Sequence, residues 1–127
     1  MIDLDIRNSL TAITNMSPYA ISLPANQKEG ISYNCISDPY LDVGLVKPSI
    51  IIARFQISIY LINNYSLLLE LDNKIWNEWR NLKHDFLGDA YIEYVDRGSF
   101  VRGKELLVDN SYVYSLIRDY IFYYQER

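Results

Sequence analysis

The chain has 127 residues, enough for one ordinary domain that buries a core without a disulfide or a metal. Half of the residues are hydrophobic and 22% are charged, which is a globular balance. A net charge of −4 and a pI near 4.9 argue against a surface built to grip phosphates or an anionic membrane, and the single cysteine, Cys35, excludes an intrachain disulfide.

The chain opens on Met1-Ile2-Asp3-Leu4-Asp5, acidic where a secretory leader carries a basic start and an apolar run. Synthesis in a cytoplasm is therefore the expectation, and the Asn64-Tyr65-Ser66 glycosylation triplet has no meaning without secretion. Residues 3–13 read as a short helix: Asp3 caps it, and Ile6, Leu10 and Ile13 share one face. Residues 19–24 are extended, with Pro24 marking an edge or an end. Residues 26–30 form a polar turn and 31–36 a strand. Pro39, Gly44 and Pro48 then punctuate a long loop over about 37–49.

The clearest strand is residues 52–61. Phe55, Ile57, Ile59 and Leu61 fall on one face, and Arg54, Gln56, Ser58 and Tyr60 on the other. A one-residue slip would bury Arg54 and Gln56, so the register is well specified. After an Asn63-Asn64 turn, Leu68, Leu71, Ile75, Trp79 and Leu82 repeat at helical spacing over four or five turns. Glu70 and Asp72 are expected on the polar side of that helix, Trp79 in the core and Trp76 partly buried. A linker containing Gly88 leads to a strand at 91–95. A second long loop is expected over about 96–109, with Gly98, Gly103 and the cations Arg97, Arg102 and Lys104. The apolar stretches Phe100-Val101 and Leu106-Leu107-Val108 leave an extended hairpin open as the alternative. Residues 112–124 read as a closing strand, although 116–121 has a helical look.

One α+β domain over residues 1–127 follows. Its sheet is mainly antiparallel or mixed, with four to five strands and two helices packed on one face. Twelve tyrosines against four phenylalanines suit a surface that is wet when alone and dry when assembled.

Catalytic chemistry finds no foothold in this pattern. His84 is the single histidine, and with Cys35 it falls short of a zinc set. It reads as a solvent-facing residue near a helix end, and Cys35 as a small apolar residue in a strand. The carboxylates form no paired or calcium-loop spacing, the glycines no phosphate loop, and the serines no nucleophile elbow. No catalytic, cofactor-binding or metal residue is assigned, and the expectation is a protein that is not an enzyme and needs no cofactor.

Several stretches together resemble one family. They are Leu23-Pro24-Ala25-Asn26, Gly30-Ile31-Ser32-Tyr33-Asn34-Cys35-Ile36-Ser37 and Arg54-Phe55-Gln56-Ile57-Ser58-Ile59-Tyr60, with Arg118-Asp119-Tyr120-Ile121-Phe122-Tyr123-Tyr124 at the end. In this order they resemble the tail terminator, or tail completion, proteins of long-tailed bacteriophages. The resemblance implies a structural virion protein that closes into a homo-hexameric ring. Such a ring caps the tail tube protein at the head-proximal end of the tail and meets a head–neck connector protein. It implies assembly in the host cytoplasm, passage of DNA through the ring without specific binding, and no membrane partner. The family's loops vary, so 37–49 and 96–109 receive no residue-by-residue assignment. Arg54, Tyr60, Arg97, Arg102 and Lys104 are the candidate subunit and tube contacts. Charge reversal at Arg97 with Arg102 is expected to weaken assembly without unfolding the monomer. The competing expectations are another head–tail connector component, a small acidic immunity or inhibitor protein that binds a basic toxin, and a small enzyme with a cleft around His84.

Overall fold

A computed structural model describes residues 2–41 and 49–126. It begins with α1, Ile2–Thr14, whose buried Ile2, Ile6, Leu10 and Thr14 recur every four residues. The Thr14 hydroxyl donates to the Leu10 carbonyl at 2.7 Å. Asn15 then takes a φ of 57° and ends the helix, a conformation asparagine tolerates better than most residues.

The remaining elements are β1 (Tyr19–Ala20), β2 (Gly30–Ser37), β3 (Ile50–Ile62), α2 (Tyr65–Trp79), β4 (Asp85–Leu87), β5 (Ala90–Leu106) and β6 (Tyr112–Gln125). They form a six-stranded sheet in the order β1-β2-β3-β6-β5-β4. Only β1 and β2 are parallel, and every other pair is antiparallel. The α+β class with two helices is as the sequence indicates, and the strand count is six rather than four to five. The extra strand is β4, read as part of a linker. It pairs back on β5 through a two-residue turn at Gly88-Asp89, where Gly88 has a φ of 58°. Residues 21–24, read as extended, lie beyond the two-residue β1.

The core lies between α1, α2 and one sheet face. Ala53, Phe55, Ile57, Ile59 and Leu61 of β3 point into it, as the alternation requires. Leu68, Leu71, Ile75 and Trp79 of α2 meet them from above. Trp79 packs edge-on to Tyr120 and Phe122, with centroids 4.8 and 5.0 Å away, and donates its indole N–H to the Ser9 hydroxyl at 2.9 Å. Each such side chain is worth about 1.5–3 kcal/mol when fully buried. The Asn64 side chain accepts the Leu67 N–H at 3.1 Å and caps α2. The helix stops at Trp79, so Leu82 lies in the following turn, its N–H bonded to the Trp79 carbonyl.

The expected loop at 96–109 is a correction. Residues 96–106 belong to β5, which runs 17 residues and pairs with β6 almost to its end. Gly98 and Gly103 punctuate the sequence without breaking the strand. Gly98 lies in a bulge between Arg97 and Phe100, where the register against β6 shifts by one residue. Gly103 lies opposite Ser115, whose hydroxyl would be 2.7 Å from any added Cβ, so the glycine permits a close cross-strand approach. Of the other expected loop, residues 42–48 lie outside the described residues. Its flanks are held to β3: the Leu41 N–H donates to the Ile50 carbonyl and the Ile52 N–H to the Pro39 carbonyl.

Candidate interaction surface

The β5–β6 hairpin organises most of the candidate residues. Arg97, Phe100, Arg102, Lys104 and Leu106 pair with Tyr120, Arg118, Leu116, Tyr114 and Tyr112. Period-two alternation puts this row on the helix side of the sheet. The Arg102 guanidinium donates to the Tyr65 hydroxyl at 2.8 Å and stacks 4.8 Å from the Phe100 ring centre. The Lys104 ammonium lies over Tyr112 and Tyr114, 4.1 and 5.7 Å from their ring centres.

Deeper on the same face lies an ion cluster. Asp72 accepts two bonds from Arg118, at 3.0 and 3.1 Å, and one from Arg97 at 2.8 Å. The Arg118 and Asp72 side chains are 9% and 8% exposed, so this is a buried pair rather than a solvated one. Arg97 also lies over Trp76, and Arg118 over Phe100. Asp72 is therefore misplaced by the sequence reading that set it on the polar side of α2. It sits four residues after Leu68 and three before Ile75, on the apolar stripe, and two arginines make its burial tolerable. Beside the cluster, burial first and the Asp72 carboxylate second push the Tyr120 hydroxyl well above the usual tyrosine range.

Arg54 and Tyr60 lie on the opposite, helix-free face. Arg54 pairs with Asp119 at 3.2 Å. Tyr60 lines a recess of about 330 Å³ with Ser58, Gln56 and residues of the 21–28 segment, including Leu23. On that face Tyr94 and Tyr123 stack with centroids 4.1 Å apart, and the hydrogen bond of the Tyr123 hydroxyl with Tyr94 leads the causes that push Tyr123 up to about 12. The five predicted contact residues thus form no single patch. Arg102 and Lys104 share one exposed row, Arg97 is committed to Asp72, and Arg54 and Tyr60 face the other way.

The outer edge of β5 distinguishes this surface. β4 covers β5 only at residues 90–92. From residue 99 to 106 every β5 residue is exposed, and among the described residues no strand pairs on that side. Phe100, Val101 and Leu106 are 44%, 67% and 56% exposed, and Val108 at the hairpin tip is fully exposed. An open, partly apolar edge of this length offers a row of backbone donors and acceptors to another strand.

The other end of the molecule is acidic. Asp5 accepts the Asp89 N–H, and the Tyr40 hydroxyl donates to the Glu126 carboxylate. Burial first, then the nearby Asp3 and Asp38 carboxylates, raise the pKa of the Cys35 thiol. Cys35 itself is half-exposed in β2. His84, 73% exposed, bonds Glu93 at 2.9 Å in the turn that enters β4. Among the described residues, no group of three His, Cys, Asp or Glu side chains is placed to hold a metal, and no helix is long and apolar enough to cross a membrane.

Sequence reasoning missed Asp72, Arg118, Tyr65 and Phe100. The signal for two of them was present: a charge on each inward-facing pattern, Asp72 among the leucines of α2 and Arg118 between Leu116 and Tyr120, with opposite signs. No protein-family model and no curated protein sequence matches the chain.

Proposed function

We propose that this chain is a structural virion subunit that closes into a hexameric ring, ends the phage tail tube at its head-proximal side and joins the tail to the neck. The carrying observation is the open β5 edge at residues 99–106, a contact surface lacking a partner within the described fold. A ring needs two different patches that meet head to tail. Here one end of the sheet presents Arg102 and Lys104 on an exposed strand, and the other gathers Asp3, Asp38 and Glu126. Three of the four stretches that carry the family resemblance fall on neighbouring strands: Gly30–Ser37 is β2, residues 54–60 are the middle of β3, and residues 118–124 are half of β6. These strands are adjacent in the sheet, so these three stretches lie side by side.

The test is removal of the chain from the phage that makes it. Tails of abnormal, uncontrolled length accumulating apart from DNA-filled heads support the reading. Tails of normal length joined to heads overturn it. Unfilled or leaking heads beside normal, separate tails would instead indicate a head-side connector component.

A further inference from the structure

Among the described residues two edges of this sheet are open, and they are chemically unlike. On β5 the free stretch is residues 99–106. On β2 it is residues 34–37, because β1 pairs only with Ser32 and Tyr33 and the Ile21 N–H reaches only the Tyr33 carbonyl. Ile36, within that second stretch, is 48% exposed. We infer that the residue 99–106 edge of β5 is completed by the residue 34–37 edge of β2 from a second copy of this chain, joining sheet to sheet around the assembly.

Strand direction permits this. Each neighbouring pair from β2 through β3 and β6 to β5 is antiparallel, so β2 and β5 run in opposite senses. A neighbour with its helices on the same side therefore presents β2 antiparallel to β5, the commonest sheet relation. Charge supports it as well. On the helix side of β5 lie Arg102 and Lys104. On the same side of β2 lies Cys35, opposite the core residue Phe55, with the Asp3 and Asp38 carboxylates close enough to raise its pKa. The two rows meet with opposite signs.

Self-pairing of β5 fails the same criterion. Centred on Gly103, it would set Arg102 of each copy across from Lys104 of the other, and like charges directly opposite destabilise a strand pair. A contact between β5 and β2 joins two different edges and is heterologous, which generates rings or filaments rather than a two-fold dimer. This inference rests on the ring reading above and adds the pair of edges that closes it.

The native chain carries one thiol, Cys35, on the proposed acceptor edge. Arg102→Cys and Lys104→Cys, made separately, place a second thiol on the donor edge. The expected result under mild oxidation is a ladder of disulfide-linked dimers and higher species from at least one variant. The ladder disappears when Cys35→Ser is added, and the native chain gives none. A link that survives Cys35→Ser joins β5 to β5 and overturns the inference. Light scattering that shows intact oligomers, with no Cys35-dependent link from either position, also overturns it while the ring reading stands. A chain that stays monomeric at every concentration, with and without tail tubes, and yields no ladder overturns both. A charge swap gives an independent readout. Arg102→Glu with Lys104→Glu disperses the oligomer, and adding Asp3→Lys and Asp38→Lys restores it. Failure of the swap to restore any oligomer, with all variants folded, counts against the proposed edge pair.

Discussion

Asp72→Asn is the most searching perturbation of the fold that carries this surface. The carboxylate receives three hydrogen bonds from two arginines, and the Arg118 side chain is only 9% exposed. Asparagine keeps the shape but removes the negative charge, leaving two guanidinium groups side by side. Removing one partner of a buried pair costs about 3–5 kcal/mol, because the remaining charge stays buried without compensation. For 127 residues the unfolding entropy at the midpoint is about 270 cal/mol/K, at roughly 2.1 cal/mol/K per residue. Each kcal/mol then lowers Tm by about 4 °C, so the expected drop is about 11–18 °C. Differential scanning calorimetry with parallel urea melts measures it. The companion variant Asp72→Leu/Arg97→Met/Arg118→Met removes the whole cluster and should recover most of the lost stability. A single Asp72→Asn change that costs under about 1 kcal/mol would refute a buried, charge-dependent cluster.

Reversal at Arg97 separates fold from surface. Arg97→Glu should lower Tm by several degrees because it sets a second carboxylate beside Asp72, whereas Arg102→Glu, at an exposed site, should stay within about 2 °C. Equal Tm values for the two would contradict the assignment, and combined reversal of Arg97 and Arg102 is for this reason a poor assembly probe. Asn64→Ala should destabilise the domain by about 1 kcal/mol through loss of the α2 cap, measured by the urea midpoint. Alkaline titration followed by phenolate absorbance should show Tyr40, Tyr120, Tyr123 and Tyr124 ionising later than ordinary tyrosines. A raised folded-state pKa favours the protonated fold, so the stability from Tyr123 is complete below pH 10 and is lost as pH rises towards about 12. A single transition of all the tyrosines near pH 10 in a still-folded protein would contradict it.

Much of the fold was legible because β3 and the helices carry strong periodicity. Phe55, Ile57, Ile59 and Leu61 announce an inward face, and Ile6 and Leu10 do the same for α1. The hairpin was less legible because glycine has two uses in a strand. Gly98 and Gly103 look like loop punctuation, yet one sits in a bulge and the other permits a close approach to Ser115. β1 and β4, with two and three residues, are too short to hold any period and exist through their neighbours. The cations of the hairpin were visible, but their partners were not. Asp72 lies 25 residues before Arg97 and 46 before Arg118, and only tertiary packing reveals that it holds both. Arg54 and Tyr60 share a strand face, while Arg102 and Lys104 lie on the reverse side of the sheet, a division set by strand order rather than by composition.

Native mass spectrometry with electron microscopy of the purified chain, at high concentration and in the presence of tail tubes, tests assembly most directly. A closed ring of six copies at 14.9 kDa each, about 89 kDa, with a central hole wide enough for DNA is the expected species. A chain that remains a 14.9 kDa monomer in solution and leaves tube ends bare contradicts it.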